Sequence, residues 1–115
     1  MAKLFASFLV LLSVCTLGCN LVLADDTTKT FCVAKPSTDD TALKNNIAFL
    51  QNSGIKLSEP CSKPSTNINI ASVLMNSYYQ ANGRNAHNCD FADSGLITLT
   101  DPSYSSCKYA YNSTI

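Results

Sequence analysis

The chain has 115 residues, six cysteines and a balanced charge of eight basic against eight acidic side chains. This balance, without a cluster of Lys and Arg, excludes nucleic acid as a partner and offers no basic stripe to anionic lipid. A chain of this length forms one small domain that buries only about two-thirds of its unfolded surface, so we expect covalent cross-links to stabilise it.

The first 24 residues have the pattern of a secretory signal peptide. Lys3 supplies the positive start, an apolar run begins at Leu4, and small or aliphatic residues precede Asp25. We predict cleavage after Ala24, which leaves a secreted, soluble mature chain. The alternative, a membrane anchor, fits less well because polar residues interrupt the run, whereas a span needs about 20 nearly continuous apolar residues.

Four cysteines remain in the mature chain, namely Cys32, Cys61, Cys89 and Cys107. An even number in a small secreted domain predicts two disulfides, and a zinc site would usually contain a close C-x-x-C pair, which is absent. Three pairings are possible, and the spacing alone does not choose among them. We expect no metal and no cofactor.

Residues 25–30 are polar without periodicity and are predicted to form a flexible lead. A short apolar run from Phe31, ended by Pro36, then predicts a brief strand. Ser37 and Asp40 have capping-box spacing, so the first helix is expected to begin here and to end at Gly54. Its predicted buried stripe consists of Leu43, Ile47 and Leu50, with Phe49 beside it.

Residues 70–83 form the helix around which the domain is organised, with Thr66 or Asn67 as its cap and Gly83 as its end. A rotation of 100° per residue separates two faces. The predicted inward face contains Ile70, Ala71, Leu74, Ser77, Tyr78 and Ala81. The predicted outward face contains Asn69, Ser72, Asn76, Tyr79 and Gln80.

An outward Tyr79 flanked by amides is suited to a sugar, because its ring can stack while Asn76 and Gln80 bond hydroxyls. The alternative is that Tyr79 packs under a second element and the amides are only solvated.

The last third contains a polar turn with His87, expected to be an exposed loop histidine rather than a ligand or base. Residues 96–100 predict a strand, and residues 107–111 alternate and predict a closing strand that pairs in the same sheet. Asn112 begins a glycosylation sequon, and the tail 112–115 has no apolar stretch for a glycolipid anchor. The predicted fold is therefore α+β, with two packed helices and a small antiparallel sheet.

Four ordered motifs carry a family resemblance, namely FCVAKPSTDDTALKNNIAF, MNSYYQANGR, CDF and TDPSYSSCKY. Together they resemble the plant X-eight domain, which is carbohydrate-binding module family 43, over residues 31–109. Members of that family occur at the C-terminus of plant β-1,3-glucanases, in anchored plasmodesmal callose-binding proteins and as single-domain secreted proteins such as some pollen allergens. The chain resembles the single-domain type, with residues 31–111 as the carbohydrate-binding domain.

Two departures from the family pattern bear on the disulfides and on the sugar site. The family has six cysteines, and the two that pair with each other after the first helix are both missing here. The resemblance then implies the pairs Cys32–Cys89 and Cys61–Cys107. Phe31 stands where the family usually has tryptophan, and its smaller ring without an indole donor would weaken stacking on sugar.

The resemblance implies a monomeric, non-catalytic module that binds β-1,3-glucan such as callose in the plant cell wall or apoplast. The candidate carbohydrate-binding residues are Tyr79, Asn76, Gln80, Phe31, Asp90 and Tyr104. Tyr78 and Phe91 are expected to fill the core.

Two other functions remain as alternatives. A small glycosidase would need two carboxyl groups facing each other about 5 to 10 Å apart in a cleft. Asp39 and Asp40 have the positions of helix-start residues and Asp101 that of a turn residue, so catalysis is not expected. A secreted protein with an interaction or signalling role that has drifted away from glucan is the second alternative.

Overall fold

The computed structural model of the protein describes residues 29–63 and 66–111. The predicted signal peptide, most of the flexible lead and the Asn112 sequon lie outside the described residues. No helix in the described ranges has the length and apolar character needed to cross a membrane.

The described chain forms the predicted small α+β domain. Its elements in order are β1 (Phe31–Ala34), α1 (Asp40–Asn52), α2 (Asn67–Ala81), a 3-10 helix (Ala86–Cys89) and β2 (Gly95–Thr98). Strands β1 and β2 pair antiparallel, with Phe31 opposite Thr98 and Ala34 opposite Gly95. Gly95 is required there because a Cβ atom would lie 1.7 Å from the carbonyl oxygen of Cys89.

The predicted closing strand at residues 107–111 is wrong. Tyr104 and Cys107 bond each other across a tight turn, with Tyr104 N 3.0 Å from Cys107 O and Cys107 N 2.8 Å from Tyr104 O. Beyond this turn, Tyr109 N donates to Ser103 Oγ and Ala110 O accepts from Asn76 Nδ2. These backbone groups therefore bond to side chains and have no strand as a partner.

Helix α1 begins later than its sequence predicts, because Asp39 and not Ser37 is its cap. The Asp39 carboxylate accepts from Ala42 N at 2.8 Å, which satisfies one of the free N–H groups of the first turn. The predicted stripe is confirmed, since Leu43 and Leu50 are buried and Ile47 packs against the same core. Gly54 has φ +92°, the left-handed conformation expected just after a helix.

Helix α2 is capped by Thr66 as predicted, and Gly83 has φ +76° after its last turn. Its burial differs from the prediction, because both of its faces are covered: α1 packs on one side and β1 on the other. The edge of β1 turned away from β2 is hydrogen-bonded to α2 side chains. Cys32 N donates to Asn76 Oδ1 and Ala34 N donates to Ser72 Oγ.

Two disulfides join the remaining segments to this framework. Cys32–Cys89 links β1 to the 3-10 helix, and Cys61–Cys107 links the loop between α1 and α2 to the C-terminal segment after β2. This is the pairing that the resemblance implies. The second bridge belongs to a separate buried cluster that also contains Phe31, Val73 and Tyr109.

The phenol of Tyr109 should make the stability of this second cluster sensitive to alkali. Burial raises the pKa of Tyr109 to about 12, the neighbouring Tyr104 adds to the rise and a hydrogen bond with Ser72 opposes it. A folded pKa above the ordinary 10.0 means that the protonated phenol stabilises the fold below pH 10 and that this contribution is lost as pH rises through about 12.

We expect the free energy of unfolding to fall by about 1 kcal/mol more in the wild type than in Tyr109→Phe when pH rises from about 10 to about 11. Urea unfolding of both proteins across this range measures the difference. Parallel pH profiles would contradict the assignment.

Candidate functional site

Tyr79, the predicted sugar platform, is buried with only 2% of its surface exposed. Its hydroxyl lies 2.9 Å from Thr30 Oγ1, next to the start of β1. The prediction that Tyr79 points outward is wrong because β1 covers the face of α2 that the helical rotation placed in solvent. In this fold the ring has no free face for a sugar, and Tyr79 belongs to the core.

The two predicted sugar-binding amides are also buried, and they hold the fold together. Asn76 Oδ1 accepts from Cys32 N and from Gln80 Nε2, both at 3.1 Å, while Asn76 Nδ2 donates to Ala110 O at 2.7 Å. Gln80 Nε2 also donates to Thr30 O at 2.9 Å. These amides connect α2 to β1 and to the C-terminal segment, so the structure corrects the prediction that they face sugar.

The last three predicted residues differ in burial. Phe31 is 1% exposed, and its ring packs 5.9 Å from that of Tyr111, so the ring belongs to the core and the prediction that it contacts sugar is wrong. Asp90 is exposed, and its carboxylate accepts from Asp93 N at 3.3 Å. Tyr104 is partly buried against the second cluster. A role for Asp90 or Tyr104 in sugar binding stays a prediction.

A surface groove lined by three aromatic rings lies on the other side of α2. Phe49 at the end of α1, Tyr78 in α2 and Phe91 after the 3-10 helix contribute the rings, and Phe49 is 50% exposed. The Tyr78 ring lies 5.8 Å from each of its two neighbours, at interplanar angles of 71° to Phe49 and 64° to Phe91. We call this surface the aromatic groove.

Polar side chains complete the lining of the aromatic groove. They are Asn46 from α1 and His87 and Asn88 from the 3-10 helix, and Ala92 adds a methyl group. The groove is open to solvent and has a volume of about 330 Å³. A second open hollow of about 360 Å³, lined by Gly54, Ile55, Lys56 and Ser77, contains no aromatic ring.

The composition of the aromatic groove suits a sugar and not acid–base hydrolysis. Aromatic faces pack against the C–H faces of a pyranose, and amide and imidazole groups can donate to or accept from its hydroxyls. Its lining consists of three aromatic, two amide, one imidazole and one methyl side chain. A glycosidase would place two carboxyl groups at such a site.

The carboxylates with lowered pKa have structural partners outside the groove. A hydrogen bond from Asn67 and then the Lys44 ammonium hold the pKa of Asp40 below its usual value. Hydrogen bonds from the hydroxyl and the backbone N–H of Ser103 lower the pKa of Asp101, which lies in a turn. Their positions at a helix start and in a turn match the sequence interpretation.

The sequence interpretation missed the aromatic groove because it assigned Tyr78 and Phe91 to the core. Both rings are half-buried. One side of each ring packs against the core, as predicted, and the other side lines the groove. The available signal was Phe49, an aromatic residue beside the apolar stripe of α1. His87 is exposed as predicted, and its position at the groove follows only from the tertiary structure.

Comparison with protein families supports the resemblance found in the sequence. A family model described as X8 domain matches residues 30–96. This range includes β1, both helices, the first two residues of β2 and every residue that lines the aromatic groove.

Three relatives illustrate the range of proteins that contain this module. The major pollen allergen Ole e 10 of Olea europaea is 40% identical over 87 residues, which cover 70% of this chain and 71% of that protein. A glucan endo-1,3-beta-glucosidase of Triticum aestivum is 42% identical over 83 residues, 69% of this chain and 18% of the relative. Plasmodesmata callose-binding protein 5 of Arabidopsis thaliana is 32% identical over 85 residues, 69% of this chain and 47% of the relative. The chain therefore spans less than a fifth of the length of the wheat glucosidase.

Proposed function

Since the chain belongs to the X8 domain family, we propose that it is a non-catalytic module that binds β-1,3-glucan, such as callose, in the plant cell wall or apoplast. The match to the wheat glucosidase covers a small share of that enzyme, whereas the match to Ole e 10 covers most of both chains. The name of the Arabidopsis relative connects the same module with callose binding.

The aromatic groove is the observation that carries this proposal. Three rings on one open surface, with two amides and an imidazole around them, form the combination by which proteins hold a neutral sugar chain. The groove therefore replaces the buried residues of α2 as the proposed glucan-binding face.

An extracellular location agrees with the two disulfides, which persist in oxidising compartments. We propose that the mature protein is secreted and acts as a monomer.

Sedimentation with insoluble β-1,3-glucan tests the proposed function. The wild-type protein is expected to bind and to be released by soluble laminarin, without release of reducing sugar from laminarin on prolonged incubation. If the protein fails to sediment, a protein-interaction function would be favoured over glucan binding. Release of reducing sugar would show that the protein is a hydrolase.

Phe49→Ala is expected to weaken glucan binding about two- to tenfold, because an aromatic stacking contact contributes roughly 0.5 to 1.5 kcal/mol beyond its buried area. The melting temperature should change little, since half of the Phe49 surface is already exposed. Isothermal titration with laminari-oligosaccharides measures the affinity.

The matched control for Phe49→Ala is Leu99→Ala, which removes an exposed apolar side chain outside the groove lining, one that is 70% exposed. Equal losses of affinity in the two variants would place the glucan elsewhere on the surface.

A further inference from the structure

Three successive residues beside the aromatic groove have a left-handed backbone conformation. Phe91, Ala92 and Asp93 have φ values of +41°, +55° and +68°. Residues with a side chain rarely adopt this conformation even singly, and a run of three non-glycine residues is strained. Strain of this kind persists only where the surrounding structure fixes it, and it concentrates at binding sites. We call residues 91–93 the left-handed turn.

Contacts on both sides hold the left-handed turn in place. Ser94 Oγ donates to Phe91 O at 2.6 Å and accepts from Asn46 Nδ2 at 2.9 Å, which ties the turn to α1. Lys35 N donates to Ser94 O at 2.8 Å, and the Lys35 ammonium pairs with the Asp93 carboxylate at 3.1 Å. The Cys32–Cys89 disulfide anchors the chain just before the turn.

Phe91, the first residue of the left-handed turn, supplies one of the three rings of the groove. Because the planes of neighbouring rings are tilted by 71° and 64°, the three rings form a bent strip and not a flat platform. A β-1,4-linked glucan is a flat, extended ribbon that needs coplanar rings. A β-1,3-linked chain turns at each linkage, so it can present successive sugar faces to tilted rings.

We propose that the left-handed turn is the specificity-determining element of the groove, which fixes the Phe91 ring so that a single bent β-1,3-glucan chain is bound in preference to an extended β-1,4-glucan. This inference rests on the proposed function and assigns its selectivity to a backbone feature. Ser94 and Asn46 act as positioning residues, since their hydrogen bonds hold Phe91 in the turn, and Asp93 contributes through its left-handed backbone.

Asp93→Gly tests the proposal, because glycine adopts positive φ without strain and also gives the turn other conformations. Titration with laminaripentaose and cellopentaose gives a ratio of affinities for each protein. We expect this ratio to fall about two- to tenfold in Asp93→Gly, because a mobile Phe91 ring must be immobilised in its tilted orientation to bind laminaripentaose, whereas it can also turn toward the orientation that cellopentaose requires. The melting temperature should be unchanged or higher.

Two further variants distinguish the effect of the turn conformation from the loss of the Asp93 charge and from the introduction of a glycine elsewhere. Asp93→Asn removes the ion pair with Lys35 but keeps a side chain that tolerates positive φ, so it should retain most of the selectivity. Ser105→Gly relieves the left-handed residue of another turn, at φ +51°, and should leave the ratio unchanged.

A wild-type ratio in Asp93→Gly, or an equal fall in both affinities, would overturn this inference while the proposed function stands. The same holds if Asp93→Asn loses as much selectivity as Asp93→Gly, because the charge would then be responsible. A wild-type protein that binds neither oligosaccharide nor insoluble glucan would overturn the proposed function and this inference with it.

Discussion

Replacing Cys32 and Cys89 together by alanine is expected to lower the free energy of unfolding by about 4 kcal/mol. The bridge joins positions separated by 57 residues, and closing so long a loop removes much of the conformational entropy of the unfolded chain. Both cysteines are buried in the core, so lost packing adds to the effect. For a domain of this size the melting temperature should fall by roughly 15 to 30 °C.

The second bridge provides a matched control for the first. Cys61 and Cys107 are separated by 46 residues. Because loop entropy changes slowly with length, the entropic contributions of the two bridges to the free energy of unfolding should differ by only about 0.2 kcal/mol. A larger loss for the Cys32–Cys89 pair in urea unfolding would then measure how much better this bridge is packed than Cys61–Cys107, which is also buried. Losses of about 1 kcal/mol or less for both pairs would contradict the expectation.

Removal of the first bridge should also affect the aromatic groove. Cys89 ends the 3-10 helix that supplies His87 and Asn88 to the groove, and the left-handed turn follows it. Removal of Cys61–Cys107 has no such direct connection. We therefore expect the Cys32/Cys89 variant, measured at a temperature where both variants are folded, to bind glucan more weakly than the Cys61/Cys107 variant.

Local signals in the sequence predicted the framework of the domain. Gly54 and Gly83 were correctly placed after their helices, because only a left-handed residue closes those ends easily. The stripe of Leu43, Ile47 and Leu50 follows directly from helical spacing. The disulfide pairing came from the family resemblance, since spacing allowed three arrangements.

The orientation of α2 could not be read from the sequence, because periodicity does not say how many faces of a helix are covered. Ser72 and Asn76 are polar and four residues apart, a pattern typical of a solvated face. In the structure Ser72 Oγ accepts from Ala34 N, and Asn76 Oδ1 accepts from Cys32 N. These two N–H groups are two residues apart on the same edge of β1. The side chains of α2 thus take the place of a neighbouring strand, and only tertiary structure reveals it.

The aromatic groove was beyond sequence reasoning for a related cause. Its rings come from Phe49, Tyr78 and Phe91, which belong to three separate segments. No periodicity within one segment relates these positions. None of the three left-handed residues at 91–93 is a glycine, so the sequence gives no signal of their conformation.

The two adjacent tyrosines of α2 should have opposite roles. Tyr79→Ala is expected to destabilise the domain by about 3 to 5 kcal/mol, because it removes a ring that is 2% exposed in the core and the bond of its hydroxyl to Thr30. Tyr79→Phe, which loses only the hydroxyl, should cost about 1 kcal/mol. Urea unfolding of the three proteins separates the two contributions.

Tyr78→Ala provides the comparison, since the half-buried Tyr78 is the middle ring of the aromatic groove. It should fold with a smaller loss of stability than Tyr79→Ala and lose most of its affinity for β-1,3-glucan, because both neighbouring rings pack edge-on against it. If Tyr79→Ala instead folds with wild-type stability and loses glucan, then Tyr79 is available to the ligand and β1 does not cover that face of α2. If Tyr78→Ala binds glucan as the wild type does, the aromatic groove is not the binding face, even where the whole protein binds.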